Sequence, residues 1–173
     1  MNEIQDHKRA ILTDEEAARL DALRQTLEAA KVDYTLLAHD LSIRSAQEGA
    51  DQGFGSLANM APTFILRSES GYLAAVIRGD QRLSYRKIKQ GLGLKNLSLA
   101  TPEQVRQVTG AEVGCVSLLN AGLLTILDGR LAELDTVCGG CGVPRHTLKI
   151  NPRDLIALAQ AQVFDFAEPK NMT

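Results

Sequence analysis

The stretch LATPEQVRQVTGAEVGCVSLL, Leu99 to Leu119, carries the most structural information in the chain. Thr101 is followed three residues later by Gln104, with Pro102 between them. This is a capped helix start: the threonine hydroxyl accepts the backbone N–H of position 104, the glutamine carbonyl accepts the N–H of position 101, and proline loses nothing at the first helical position. The pattern predicts a short helix from Pro102 that ends at Thr109-Gly110.

The same signals recur outward from it. Thr13 and Glu16 form a second capping box and predict an amphipathic helix with Ala17, Leu20, Leu23, Leu27 and Ala30 on one stripe. A strand is expected over Tyr34 to Ala38, ending at His39-Asp40. A helix follows within SIRSAQEGADQG (Ser42–Gly53), stopped by Gly53 and Gly55. Two β-type runs, Thr63 to Arg67 and Tyr72 to Ile77, are joined by Ser-Glu-Ser-Gly and read as a hairpin. After a Gly-Asp-Gln-Arg break comes a basic helix, SYRKIKQGLG, stopped by Gly91. Strand-like runs at Gly122 to Leu127 and Thr147 to Ile150, a helix in NPRDLIALAQAQ and an apolar VFDFA complete the chain. Strands and helices mix without repeat or linker, so the class is α+β (mixed α/β) in one domain over 13–167, with a loose arm at 1–12 and a tail at 168–173.

Composition narrows the functions. With 173 residues and 45% apolar content, one core is affordable. A net charge of −2 excludes a general basic coat, so a nucleic-acid partner has to be met by a local patch. Aromatics at 4% and no Trp argue against base-stacking platforms. No apolar run reaches the ~20 residues that span a bilayer, and the charged N-terminus lacks a signal-peptide core, so a cytoplasmic protein without a membrane partner is expected. Three cysteines do not make a disulfide framework.

VCGGCGVPRHTLKI, Val137 to Ile150, holds the chain's C-x-x-C. A redox pair needs its first thiol at a helix N-terminus, and glycine occupies three of the four places after Cys138. A zinc site needs two more ligands, for which only Cys115 and His146 are on offer. A glycine turn outweighs both, with Gly139, Gly140 and Gly142 permitting close backbone approach to a ligand. No metal and no cofactor is expected. Arg78, Arg82, Arg86, Lys87, Lys89 and Lys95 form the densest basic region, either a solvated helix face or a phosphate contact. His39 is a candidate general base or a structural histidine at its turn, and Thr63, Ser117 and Thr109 are candidate hydrogen-bond donors. Gly91-Leu-Gly93 is too short for a dinucleotide fingerprint.

The order of these segments resembles the YbaK/ProX aminoacyl-tRNA deacylases, also found as the editing insertion of bacterial prolyl-tRNA synthetases. The pieces are the strand ending in His39-Asp40, the small and acidic helix around Ser45 to Gly49, PTFIL, the Gly-Asp and basic helix from Val76 to Lys89, LATPEQVRQVTGAEVGCVSLL and NPRDL. The resemblance implies a curved mixed sheet flanked by helices, with a cleft at one side. It further implies a free-standing deacylase that hydrolyses the ester of a mischarged tRNA, with the acceptor end, and a synthetase, as partners. Backbone of glycine turns would hold the aminoacyl group, placing His39, Thr63, Gly110, Gly114, Ser117, Gly139, Gly140 and Gly142 at the substrate, and Arg82, Arg86, Lys87 and Lys89 at the tRNA. The family's strand-opening lysine is Pro62 here, and the proline of its Gly-x-x-x-Pro loop is Leu118. Arg145, just after the glycine turn, is the candidate replacement cation. Pro62 keeps a second reading open, a catalytically silent module that binds an amino-acid-like or nucleotide ligand or has a regulatory role.

Overall fold

The computed structural model describes residues 12–39, 45–53 and 55–170. Most of the expected N-terminal arm, Asp40, the first residues of the second predicted helix and the end of the tail lie outside the described residues.

Helix α1 (Asp14–Ala29) starts at its capping box, with Glu16 N–H donating to Thr13 Oγ1 at 3.1 Å and Thr13 N–H to Glu16 Oε2 at 3.3 Å. Leu20, Leu23 and Leu27 form its buried stripe, each contributing roughly 2 kcal/mol through apolar area removed from water. Ala30 leaves that stripe because it is the exposed C-cap. Strand β1 (Tyr34–Ala38) follows, then α2 (Ala46–Asp51), capped by Ser45, and a single 3-10 turn at Leu57–Asn59.

The predicted hairpin is β2 (Thr63–Ser68) and β3 (Gly71–Val76), antiparallel in the register Thr63↔Val76 to Ser68↔Gly71. The Gly-Asp-Gln-Arg break hides a three-residue strand, β4 (Gln81–Leu83). The basic helix α3 (Tyr85–Leu92) runs through Gly91 and stops instead at Gly93, whose φ of 67° supplies the left-handed cap. Gly91 lies within the helix because the ring of Phe164 occupies the space a Cβ would take. β5 (Leu97–Leu99) was not visible as a strand in the sequence; α4 (Pro102–Thr109) begins and ends as predicted, capped by Thr101 and Gln104 and closed by Gly110.

β6 (Leu124–Asp128) starts two residues later than expected, since Gly122 at φ 76° belongs to the preceding turn. A short helix α5 (Gly129–Ala132), β7 (Val137–Gly139), β8 (His146–Ile150) and α6 (Pro152–Ala159) follow. The apolar VFDFA divides into β9 (Gln162–Phe164) and β10 (Ala167–Pro169), so Glu168 and Pro169, read as tail, are in a strand.

These strands form a five-stranded mixed sheet in the order β5-β2-β3-β6-β9, a three-stranded antiparallel sheet β1-β8-β7, and a ribbon β10-β4. β3/β6 and β6/β9 are parallel and the other pairs antiparallel. The larger and smaller sheets meet where Ala61 N–H donates to Cys138 O at 2.8 Å. The main core lies under α1 and joins Leu20, Leu27, Leu118, Leu131, Leu148 and Leu155. Ile65, Ala74, Val105 and Val116 tie α4 and the loop after it to the larger sheet. Among the described residues no helix is long and apolar enough to cross a membrane.

Two loops are joined backbone to backbone. Leu118 N–H donates to Gly140 O at 3.0 Å, and Gly142 N–H to Cys115 O at 2.9 Å. A Cβ at Gly140 would collide with the carbonyl of Val116, and one at Gly139 would lie 2.8 Å from Ala61 O. Gly140→Ala is therefore expected to destabilise the protein by about 2–3 kcal/mol, because backbone on both sides cannot yield. Gly129→Ala, with nothing near its Cβ position, is expected to be neutral or slightly stabilising. Urea denaturation of the two variants against the parent measures the contrast.

Candidate functional site

A cavity of about 280 Å³ opens between the start of β2, the Gly114–Val116 loop and the Cys138–Gly140 turn. Its wall includes Met60 to Phe64, Gln81, Val143, Arg145 to Thr147 and Lys170. Of the residues expected at a substrate, the structure brings six to this cleft: His39, Thr63, Gly114, Gly139, Gly140 and Arg145. Pro62 lines it as well, at the position the family gives to lysine.

Three others lie elsewhere. Ser117 and Gly142 line a wider trough of about 670 Å³ beside α1, on the other side of the paired loops. Gly110 packs against Arg19, whose Nη2 would sit 3.1 Å from a Cβ there. The physical reason is the pairing of the two loops: the chain passes from the cleft to the trough between Val116 and Ser117 and between Gly140 and Cys141, and returns at Val143 after Gly142, whose φ is 90°. The trough holds a guanidinium already committed, since Arg19 Nη1 donates to Gly142 O at 2.8 Å. The smaller cleft gathers two histidines, an arginine and a lysine in its wall.

His39 is 7% exposed at the end of β1. Its N–H donates to Arg145 O at 2.9 Å and its Nε2 lies 3.1 Å from Thr147 Oγ1. That geometry holds the imidazole against β8, the structural role weighed from sequence, and brings Thr147 into the cleft wall. Arg145 has φ 58°, an uncommon conformation for a side-chain-bearing residue, at the corner between the glycine turn and β8. His146 follows. Its Nδ1 is 2.9 Å from Pro144 O; a carbonyl only accepts, so Nδ1 carries a proton, which leaves Nε2 as the lone-pair nitrogen of the neutral tautomer.

Thr63 Oγ1 and Gln81 Oε1 are buried and meet no hydrogen-bond partner among the described residues. Each unsatisfied group costs on the order of 1–3 kcal/mol, so both are polar atoms the fold tolerates at the cleft wall without using. Gln81 and Lys170 were not read as site residues. They come from the β4–β10 ribbon, whose three-residue strands carry no period for a sequence reading to detect.

The cysteines are packing residues of the turn. Cys138 is 2% and Cys141 1% exposed. Burial raises both thiols, Cys141 to about 12, with Lys149 opposing the rise at Cys138. Both are neutral thiols at physiological pH and poor nucleophiles. Among the described residues no three His, Cys, Asp or Glu side chains cluster as a metal site.

The basic region is partly occupied by the protein itself. Arg82 pairs with Glu168 at 3.2 Å, Lys87 with Asp165 at 3.3 Å, and Arg86 donates to Gln90 at 3.4 Å. Gln81 lines the cleft, and alternation along β4 sends Arg82 to the other face of the ribbon.

Comparison with known proteins agrees with this geometry. Residues 41–158 match the family described as the aminoacyl-tRNA editing domain. The proline–tRNA ligase of Caldicellulosiruptor saccharolyticus is 29% identical over 112 residues, 64% of this chain and 18% of the ligase. That of Moorella thermoacetica is 35% identical over 94 residues, 52% of this chain and 16% of the ligase. The matched stretch thus spans less than a fifth of these relatives. A crystal structure of a candidate trans-editing enzyme for prolyl-tRNA synthetase superposes with a TM-score of 0.77 at 26% identity, covering 91% of this chain and 99% of that one. A hypothetical protein of known structure gives a TM-score of 0.79 at 28% identity over 84% and 99% of the two chains. The chain belongs to the aminoacyl-tRNA editing domain family, in its YbaK/ProX branch, as the order of its segments implied.

Proposed function

We propose that this protein is an aminoacyl-tRNA deacylase acting in trans, hydrolysing the ester between a mischarged amino acid and the terminal ribose of tRNA. The observation that carries the reading is the cleft itself: His146, the His39–Thr147 pair and two glycine-rich segments line one small cavity. Likeness over 99% of a chain described as a candidate trans-editing enzyme supports action on a separate tRNA.

An activated ester asks little of its catalyst: orientation, a base for water and donors for the developing oxyanion. His146 is the candidate base, since the Nδ1–H bond to Pro144 O selects the tautomer whose Nε2 can accept a proton. At about 280 Å³ the cavity suits a small aminoacyl group. The acceptor-stem phosphates lie outside it, within reach of basic residues such as Arg86 and Lys89 on α3; Arg82 and Lys87 serve the C-terminal segment first.

The test is release of free amino acid from a panel of mischarged tRNAs. Turnover of at least one is expected. His146→Gln should reduce its rate about 100-fold, as loss of a general base does. Pro62→Lys should raise it about tenfold by adding a cation at the mouth of β2. Failure of every tRNA, with ligand binding retained, would favour the silent binding module that Pro62 also fits. Alkylation of the native protein should leave Cys138 in the cleft wall and Cys141 behind it unmodified, since both are buried and protonated; adducts at either residue by mass spectrometry would contradict that assignment.

A further inference from the structure

The end of the described chain returns to the cleft. Lys170 follows β10 and lines the same cavity as Pro62. Its Nζ donates to Gly79 O at 2.7 Å, and its backbone N–H reaches Asp80 O at 3.4 Å. Gly79 in turn donates its N–H to Met60 O at 2.7 Å, two residues before Pro62. One glycine thus connects the lysine to the strand entry whose own residue has no cation. Gly79 also admits no side chain, since a Cβ would lie 2.5 Å from Leu57 O and 2.9 Å from Met60 Cβ.

The placement of Lys170 is not that of a loose terminal side chain. β10 is held to β4 in the register Ala167↔Leu83, Glu168↔Arg82, Pro169↔Gln81. Upstream of it, the fully buried carboxylate of Asp128 accepts the N–H of Phe166 and of Ala167, each at 2.9 Å. An ammonium has three N–H donors. Gly79 takes one, which anchors this exposed side chain at the rim of a cavity whose wall includes Met60, Ala61, Pro62, Phe64 and Val116 and leaves the ammonium two further donors for a ligand.

We propose that Lys170 is the substrate-binding cation of this cleft, held by the Gly79 carbonyl and offering its remaining donors to an anionic oxygen of the ligand. Resting on the deacylase reading, that oxygen belongs either to a phosphate near the 3′ end of the tRNA or to the oxyanion that develops at the ester carbonyl.

Two measurements on the full chain separate these and remain independent of whether hydrolysis occurs. In the first, Lys170→Met and Lys170→Arg are compared with the parent in deacylation. Lys170→Met should lower kcat/KM about 10- to 100-fold, with Lys170→Arg recovering part of it and the melting temperature unchanged. A loss confined to KM identifies the phosphate; a loss in kcat identifies the oxyanion. In the second, AMP and adenosine are titrated against parent and Lys170→Met. AMP binding tighter than adenosine in the parent, and equal in the variant, supports the phosphate arm even if no tRNA is hydrolysed, an outcome that would sink the deacylase reading alone. Unchanged deacylation together with unchanged AMP binding in Lys170→Met overturns the proposal. So does a parent chain that neither hydrolyses nor prefers AMP.

Discussion

The paired loops at Cys115–Leu118 and Gly140–Gly142 are the constraint on which the rest of the molecule depends. Two hydrogen bonds join them, and the space between them is too narrow for any Cβ at position 140. On one side they close the core, where Leu118 and Cys141 pack with Leu20 and Leu27 of α1. On the other they present Gly114, Cys115, Val116, Gly139 and Gly140 as a cleft wall made mainly of backbone. A wall of this type can approach a ligand more closely than side chains would permit, and it cannot be displaced without opening the core behind it. Rigidity of the site and stability of the fold are therefore the same property here.

The second structural dependence is Asp128. A carboxylate with no solvent exposure needs its charge met by donors, and the N–H groups of Arg130, Phe166 and Ala167 meet it at 2.9 to 3.0 Å. Arg130 Nη1 adds a partly exposed contact at 3.3 Å and reaches on to Asp165. The outcome is that a segment with two three-residue strands, too short to be stable alone, is locked onto the end of β6. Its last strand then covers β4 and delivers Lys170 to the cleft. The ion pairs Arg82–Glu168 and Lys87–Asp165 lie on this same seam, where as exposed pairs they contribute little energy but agree with the alignment.

Helix starts were legible in the sequence because capping is local chemistry: Thr13 with Glu16, and Thr101 with Gln104, form the reciprocal bonds their spacing predicts. The hairpin was legible for the same reason, through its alternation and its turn. Helix ends were less so. Gly91 and Gly93 are equally able to stop a helix, and what decides between them is the ring of Phe164, more than 70 residues away in sequence, resting on Gly91. The cleft was half legible. Gly114, Gly139 and Gly140 face it, whereas Ser117 and Gly142, three residues after Gly114 and two after Gly140, face the trough, because the paired loops cross from one cavity to the other at Ser117 and Cys141 in a way no composition reveals. Lys170 was illegible, since its position depends on a tertiary bond to Asp128 made by backbone.

Pro62 shows how a departure from the family pattern is absorbed. Proline has no N–H, so it fits the entry to β2, where its carbonyl still accepts Ile77 N–H at 3.3 Å and the hairpin with β3 begins at Thr63. The fold keeps this bond and forfeits only its reciprocal, the one an N–H at position 62 would donate to Ile77 O, together with a side-chain charge. Cations now stand at two other points of the rim, Arg145 at the glycine corner and Lys170 at Gly79, reached from distant parts of the chain. Charge at a cleft is a requirement of position and not of chain register, because the field a ligand meets depends on where the ammonium lies and how poorly it is screened. A site made of backbone walls, with its cations brought in from separate elements, can exchange the source of a charge without rebuilding the pocket, which reconciles an intact editing-domain fold with a proline where its lysine would stand.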